Sequence, residues 1–231
     1  MSGPRTVLVV VAHSDDEALG CGATLRRHAD QGDAVFALSL TDGVGARGDD
    51  PDAARRRADA AQASAQALGF SWLPAGSFPD NALDSVPLID VVQFIEAAAA
   101  PLQPDLVYTH HAGDLNVDHQ RVGQAVLTAF RPQPGRSVRE IRTFEVASST
   151  EWSHRSVSAP FQPNLYVDAT AAWPAKEAAL TAYAEELRPA PHARSLEGLD
   201  ALARLRGAQV GYPRAEAFCV LRRLVAAGDA L

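Results

Sequence analysis

The segment "VVVAHSDDEALG", Val9 to Gly20, ends an apolar run with a histidine and three consecutive carboxylates, Asp15, Asp16 and Glu17. Adjacent like charges repel one another, and burying them is costly. A divalent cation at that point would offset the repulsion. His13 and Asp16 stand three residues apart across a turn into a helix, so their side chains can converge on one point. A second polar cluster, "THHAGDLNVDHQ", runs from Thr109 to Gln120 and places His119 where another helix opens. An imidazole, a carboxylate and a second imidazole make a three-ligand site with positions left for water and substrate, as in a catalytic zinc centre. Ferrous iron also suits two histidines and one carboxylate. Zinc lowers the pKa of its water toward ~7, and Asp15 is then free to act as the base. The same acids are equally compatible with a plainer role as caps and dipole partners of a helix N-terminus. His110 and His111 suit a core as well as a ligand set. Asp114 and Asp118 could cap loops or orient His119 through a hydrogen bond.

These clusters depend on the elements that carry them. "TVLVVVA", "AVFALSL", "FSWLPAG", "DLVYTHH" and "EIRTFEVA" read as strands, and helical segments separate them. The first helix spans roughly Asp16 to Gln31, with Gly32 as its stop. "PDAARRRADAAQASAQALG" reads as a second, capped by Asp50, with Pro51 at its first position and Gly69 closing it. "PLIDVVQFIEAAAAPL" and "DHQRVGQAVLTAF" are the next two. The alternation predicts an α/β fold, a Rossmann-like, mainly parallel sheet with helices on both faces. In the last third, "NLYVDAT" reads as a strand, "AWPAKEAALTAYAEELR" and "LEGLDALARLRGAQVG" as helices, and "EAFCVLRRL" as a strand returning to the sheet. "RPAPHARS" reads as a flexible loop. No linker or repeat divides the chain, which predicts one domain over 1–231. Ligands of open α/β sheets bind beyond the carboxyl ends of the strands. Both polar clusters fall at such ends, and strands one and four are neighbours in a Rossmann-like order.

Composition narrows the partners. The 231 residues are 47% hydrophobic and 21% charged, with a net charge of -7. That balance argues against nucleic acid, whose phosphates require a basic surface. The 2 cysteines, Cys21 and Cys219, are far apart and read as reduced thiols of a cytosolic protein. The first apolar run is too short for a signal peptide, and no stretch is long enough to cross a bilayer. The expectation is a cytoplasmic protein with a small-molecule partner and no membrane partner. A homo-oligomer stays open.

"AHSDDEALGCGATL" resembles the signature of the LmbE/PIG-L-like N-deacetylases, in which Ala-His-Pro-Asp-Asp-Glu is usual. "GDLNVDH" matches that family's second element, which ends in Asp-His, here Asp118-His119. The stretch from "TDGVGARGDD" to "SAQALG", with Arg57 near an acid, and the later "KEAALTAYAEEL", "HARS", "RG" and "AEAF" extend the resemblance over nearly the whole chain. It implies zinc-dependent hydrolysis of an N-acetyl group on an amino sugar or its conjugate. By position it implies His13, Asp16 and His119 as zinc ligands and Asp15 as general base. Ser14 replaces the usual proline without removing a ligand. Asn116 stands where many members carry a histidine that assists the tetrahedral intermediate. His111, His110 or His192 could supply that help, and His192 is preferred because the resemblance runs through "HARS". Arg47 and Asp80, in loops after strands two and three, are candidates for substrate contacts, as is His111. A zinc amidase acting on another N-acyl or thiol-conjugate amide is the nearest alternative. "LGCGATL" also resembles the glycine loop of S-adenosylmethionine methyltransferases. Here Gly20 and Gly22 fall inside a helix, where close packing on the sheet explains them better.

Overall fold

The run Thr6–Val11 alternates between two interiors. It forms β1, whose Val7, Val9 and Val11 lie in one buried cluster and whose Leu8 and Val10 lie in another. Burial on both faces is what a parallel sheet covered by helices requires. The protein is described by a computed structural model covering residues 3–41, 43, 45, 50 and 52–227. β2 (Ala34–Ser39), β3 (Ser71–Trp72), β4 (Leu106–His110) and β5 (Glu140–Phe144) run parallel to β1 and to one another. β7 (Ala215–Arg223) returns antiparallel between β5 and β6 (Leu165–Asp168), giving the order β3-β2-β1-β4-β5-β7-β6. The expected mainly parallel, Rossmann-like sheet is present. From β1 the chain builds outward to β2 and β3, then crosses to β4 on the other side. That reversal opens a crevice beyond the carboxyl ends of β1 and β4.

Six α-helices among the described residues cover the two faces. α1 (Asp16–Asp30), α2 (Ala53–Leu68), α5 (Trp173–Ala182) and α6 (Leu196–Ala208) bury Leu25, Leu68, Leu180 and Leu199 on one side. α3 (Leu88–Ala99) and α4 (Val117–Ala129) bury Ile95 and Val122 on the other. Each such side chain contributes roughly 1.5–3 kcal/mol on burial.

α1 is kinked at Cys21, whose φ of -143° leaves the helical range. Lys176 donates to the Leu19 carbonyl at 2.9 Å, before the kink. Glu216 accepts the amides of Ala23 and Thr24, after it, at 3.0 and 2.7 Å. Lys176 and Glu216 pair with each other at 2.6 Å. This buried pair satisfies backbone groups that the kink exposes. A Cβ at Gly20 would fall 2.1 Å from the Phe144 ring, so glycine is needed there for contact between helix and sheet.

Several boundaries differ from the sequence expectation, β3 among them, which is confined to Ser71–Trp72. α2 starts at Ala53, because the Asp50 carboxylate accepts the Asp52 amide and pairs with Arg56 in the preceding turn. Pro51 lies outside the described residues. α5 stops at Ala182, where Tyr183 leaves helical geometry and its hydroxyl reaches the interior to donate to Glu17. No helix among the described residues is long and apolar enough to cross a membrane.

Candidate active site

β1 delivers His13 to the crevice, and α1 opens at Asp16 three residues later. The Asp16 carboxylate folds back to accept the His13 amide at 2.9 Å. Across the crevice, Asn116 caps α4: its side-chain oxygen accepts the amides of Asp118 and His119 at 2.8 and 3.4 Å. The cap presents His119 in the first turn of that helix. Three buried side chains thereby meet. His13 Nδ1 lies 3.2 Å from Asp16 Oδ2, and His119 Nε2 lies 3.4 Å from Asp16 Oδ1. One ligand atom from each of the three residues lies within 4.8 Å of the other two. Zinc–ligand distances of 2.0–2.1 Å in a tetrahedron imply ligand-to-ligand edges of roughly 3.3 Å; Asp16 reaches each imidazole at about that length, through a different oxygen for each.

The remaining ring nitrogens meet carboxylates. His119 Nδ1 is 3.2 Å from Asp114, and His13 Nε2 is 3.2 Å from Asp118 and 3.1 Å from Asp80. A carboxylate behind each imidazole fixes the ring and its tautomer for metal binding. Those carboxylates are held in turn. Asp114 accepts from Ser149, Thr150 and the Asn116 amide, and Asp118 accepts the amides of Asn81 and Leu83. His13, Asp80 and Asp118 form a second group of metal-ligand spacing. It lacks a second imidazole, and both Asp118 oxygens already accept backbone amides.

The charges favour a cation. Burial pulls both histidines down, but carboxylates outweigh it: Asp118, Asp16 and Asp80 hold His13 well above its usual pKa. Asp16 and Asp114 raise His119 to about 9 in the same way. Burial opposes ionisation of Asp16, and His119 beside it overcomes that, keeping Asp16 well below the usual carboxylate range. Asp114 falls to about 2 against its own burial, through His119, Ser149 and Thr150. The carboxylates thus favour positive charge at these imidazoles. A dication would satisfy the same negative charge, so the donor set fits a divalent metal.

The three adjacent carboxylates have three different environments. Asp16 faces the imidazoles. Asp15 is buried between Arg57, at 3.3 Å, and Arg194, at 3.5 Å. Arg57 also pairs with Glu186 and donates to the Ser14 hydroxyl, so the serine in place of proline has a partner. Glu17 is fully buried, and burial raises it to about 8 despite hydrogen bonds from Tyr183 and Ser64.

The other sequence candidates lie around this group. His110 stacks on His119 with ring centroids 4.0 Å apart. Its Nε2 accepts the Ala12 amide, and burial together with His119 lowers it to about 4, so it is a neutral wall of the site. His111 contacts the Ala159 carbonyl and the Phe161 ring. His192 Nδ1 accepts the Arg194 amide at 3.0 Å, and its ring packs edge-on against Trp152. No contact joins His111 or His192 to His13, Asp16 or His119 among the described residues. Asp80 stands behind His13. Arg47 lies outside the described residues. Sequence reasoning missed Arg194, the residue that the "HARS" loop brings to Asp15. It left Asp114 and Asp118 either to cap loops or to orient His119; Asp114 meets His119, and Asp118 meets His13 instead.

Residues 8–130, which contain all three candidate ligands, match the PIG-L family, described as GlcNAc-PI de-N-acetylase. The chain belongs to this family. Among PIG-L relatives, the uncharacterized deacetylase YaiS of Escherichia coli is 30% identical over 134 residues, covering 56% of this chain and 70% of that protein. The 1D-myo-inositol 2-acetamido-2-deoxy-alpha-D-glucopyranoside deacetylase of Kineococcus radiotolerans is 29% identical over 164 residues. That match covers 55% of this chain and 45% of the relative, less than half its length. The crystal structure of the conserved protein TT1542 from Thermus thermophilus superposes with a TM-score of 0.75 at 24% identity. It covers 98% of this chain and 99% of that one, so the fold is shared throughout.

Proposed function

We propose that this PIG-L family chain is a metal-dependent hydrolase that removes the N-acetyl group from an amino sugar or an amino-sugar conjugate. The observation that carries this reading is the buried His13–Asp16–His119 group, with a carboxylate behind each imidazole and Asp15 beside it. His13 Nδ1, a carboxylate oxygen of Asp16 and His119 Nε2 would hold zinc, with ferrous iron as the other suitable ion. Such an ion polarises a carbonyl and makes water a nucleophile near neutral pH.

The chain's own groups do the rest. Asp15 accepts the proton of the attacking water, its carboxylate aimed by Arg57 and Arg194. Because His192 Nδ1 accepts the Arg194 amide, neutral His192 carries its proton on Nε2, where it can donate to the oxyanion of the tetrahedral intermediate. Asp15, once protonated, returns a proton to the leaving amine. The products are acetate and a free amine. Asp80, His111 and Arg47 remain the proposed contacts to substrate. Of these, Asp80 already touches a ligand histidine, so it would act close to the reacting bond.

The test is release of free amine from a panel of N-acetylated sugars and their nucleotide, lipid and thiol conjugates, with zinc and with a chelator. Metal-dependent release from a sugar class supports the reading. Release only from longer N-acyl or thiol-conjugate amides would move it to the related amidase.

A further inference from the structure

The amino-terminal edge of the sheet, opposite the crevice, holds a cavity of about 380 Å³. Arg5 leads into β1, Arg27 and His28 lie in the last turn of α1, and Arg142 projects from β5; all four line it. Three guanidinium groups there face one lining carboxylate, Asp33. Asp33 is already committed, accepting the Arg5 amide at 2.8 Å and pairing with His28 at 2.6 Å.

A relay fixes the cavity's protons. Arg142 donates to the Tyr108 hydroxyl at 2.7 Å, and that hydroxyl lies 2.9 Å from His28 Nε2. With its oxygen accepting from Arg142, Tyr108 gives its own proton to His28 Nε2. His28 Nδ1 then keeps its hydrogen for Asp33. Arg142 is also balanced by Glu140, at 2.6 Å. Arg27 spends one nitrogen on the Asp168 carbonyl. The Arg5 guanidinium has no partner among the described residues. The buried hydroxyl of Thr24, also on the lining, has no hydrogen-bond partner either. Asp168 faces Arg27 and Glu140 faces Arg142, so Arg5 is the guanidinium of this cavity left to meet an anion.

We propose that this cavity is a binding site for the phosphoryl group of a small phosphorylated molecule. Guanidinium groups bind phosphate oxygens in paired, charge-assisted hydrogen bonds. The volume falls within the ~300–1,000 Å³ of small-molecule sites and is too confined for a polymer. A neutral sugar would leave the Arg5 guanidinium without a counter-charge. The site is separate from the His13–Asp16–His119 group and does not depend on the reaction proposed for it.

Isothermal titration of the full chain with glucose 6-phosphate, inorganic phosphate and glucose tests the assignment. Saturable binding of glucose 6-phosphate and none of glucose is expected. Tighter binding of the ester than of inorganic phosphate assigns the site to phosphorylated metabolites, and equal binding assigns it to free phosphate. Arg5→Gln with Arg27→Gln should weaken binding roughly tenfold or more, as loss of charge-assisted bonds requires. His119→Ala, which disables the metal group, should leave it unchanged. Absence of saturable binding overturns the proposal. So does affinity that survives Arg5→Gln/Arg27→Gln, or that falls with His119→Ala.

Discussion

Asp15, Asp16 and Glu17 sit side by side, yet each is stabilised differently: by two arginines, by two imidazoles and by retention of a proton. This division yields two predictions. Asp15→Asn keeps the ligand set, so metal content measured by atomic absorption should stay at the wild-type level. Its turnover should fall roughly 10²–10⁴-fold, as expected for loss of a general base. Glu17 gives a pH effect. Its folded pKa of about 8 lies above the ordinary value of 4.5, so the folded state keeps a proton that the unfolded chain releases between them. The stability it contributes is fully present below 4.5 and lost as pH rises through about 8. Glu17→Gln removes this loss, so its melting temperature relative to wild type should rise between pH 5 and pH 9. A constant difference across that range would refute the assignment. The meeting of His13, Asp16 and His119 was legible in the sequence from residue type, spacing and the family resemblance taken together. Arg194 was not, since its approach to Asp15 depends on the path of a loop 179 residues further along. The roles of Asp114 and Asp118 were not legible either, because which imidazole each meets is a matter of backbone direction.

At the scale of elements, the site stands on two helix N-termini, and each is set by contacts outside its own sequence pattern. Asn116 holds the first turn of α4 with its side-chain oxygen, a use that accounts for asparagine at that position. α1 holds Asp16 at one end of a helix broken at Cys21 and clasped by Lys176 and Glu216. Lys176→Met leaves Glu216 without its buried counter-charge. It should lower the unfolding free energy by about 3 kcal/mol in urea titrations. Adding Glu216→Gln should return part of that loss, and purely additive losses would show that the two residues act independently. The seven strands among the described residues each read as a strand in the sequence; β1 and β4 are buried on both faces, which leaves little room for polar residues, whereas β3 and β6 are only partly buried. The kink was hidden, because α1 keeps helical periodicity through it. The early end of α5 was hidden as well. Helix-favouring residues, Ala184 to Leu187, follow Ala182, yet Tyr183 leaves helical geometry and donates to Glu17.

Over the whole molecule, chain reversal at β1 places two distant motifs on one crevice, His13 after β1 and His119 after the neighbouring β4. Alternation of strands and helices made that adjacency an expectation from sequence. The insertion of β7 between β5 and β6 was beyond it, since nothing local distinguishes an antiparallel return from a further parallel strand. A metal that binds only the folded crevice must stabilise the whole fold, by about 2.7 kcal/mol at a free concentration of 100 Kd. Zinc should therefore raise the melting temperature of the chelator-stripped protein, and His119→Ala should abolish the rise.

The most direct test of the central claim is a zinc titration of the stripped protein while free amine released from an N-acetylated amino-sugar conjugate is followed. The account predicts no release without metal, and activity that rises to a plateau at one equivalent of zinc. Release undiminished in chelator would contradict it, as would full zinc occupancy with no amine released from any N-acetylated sugar class.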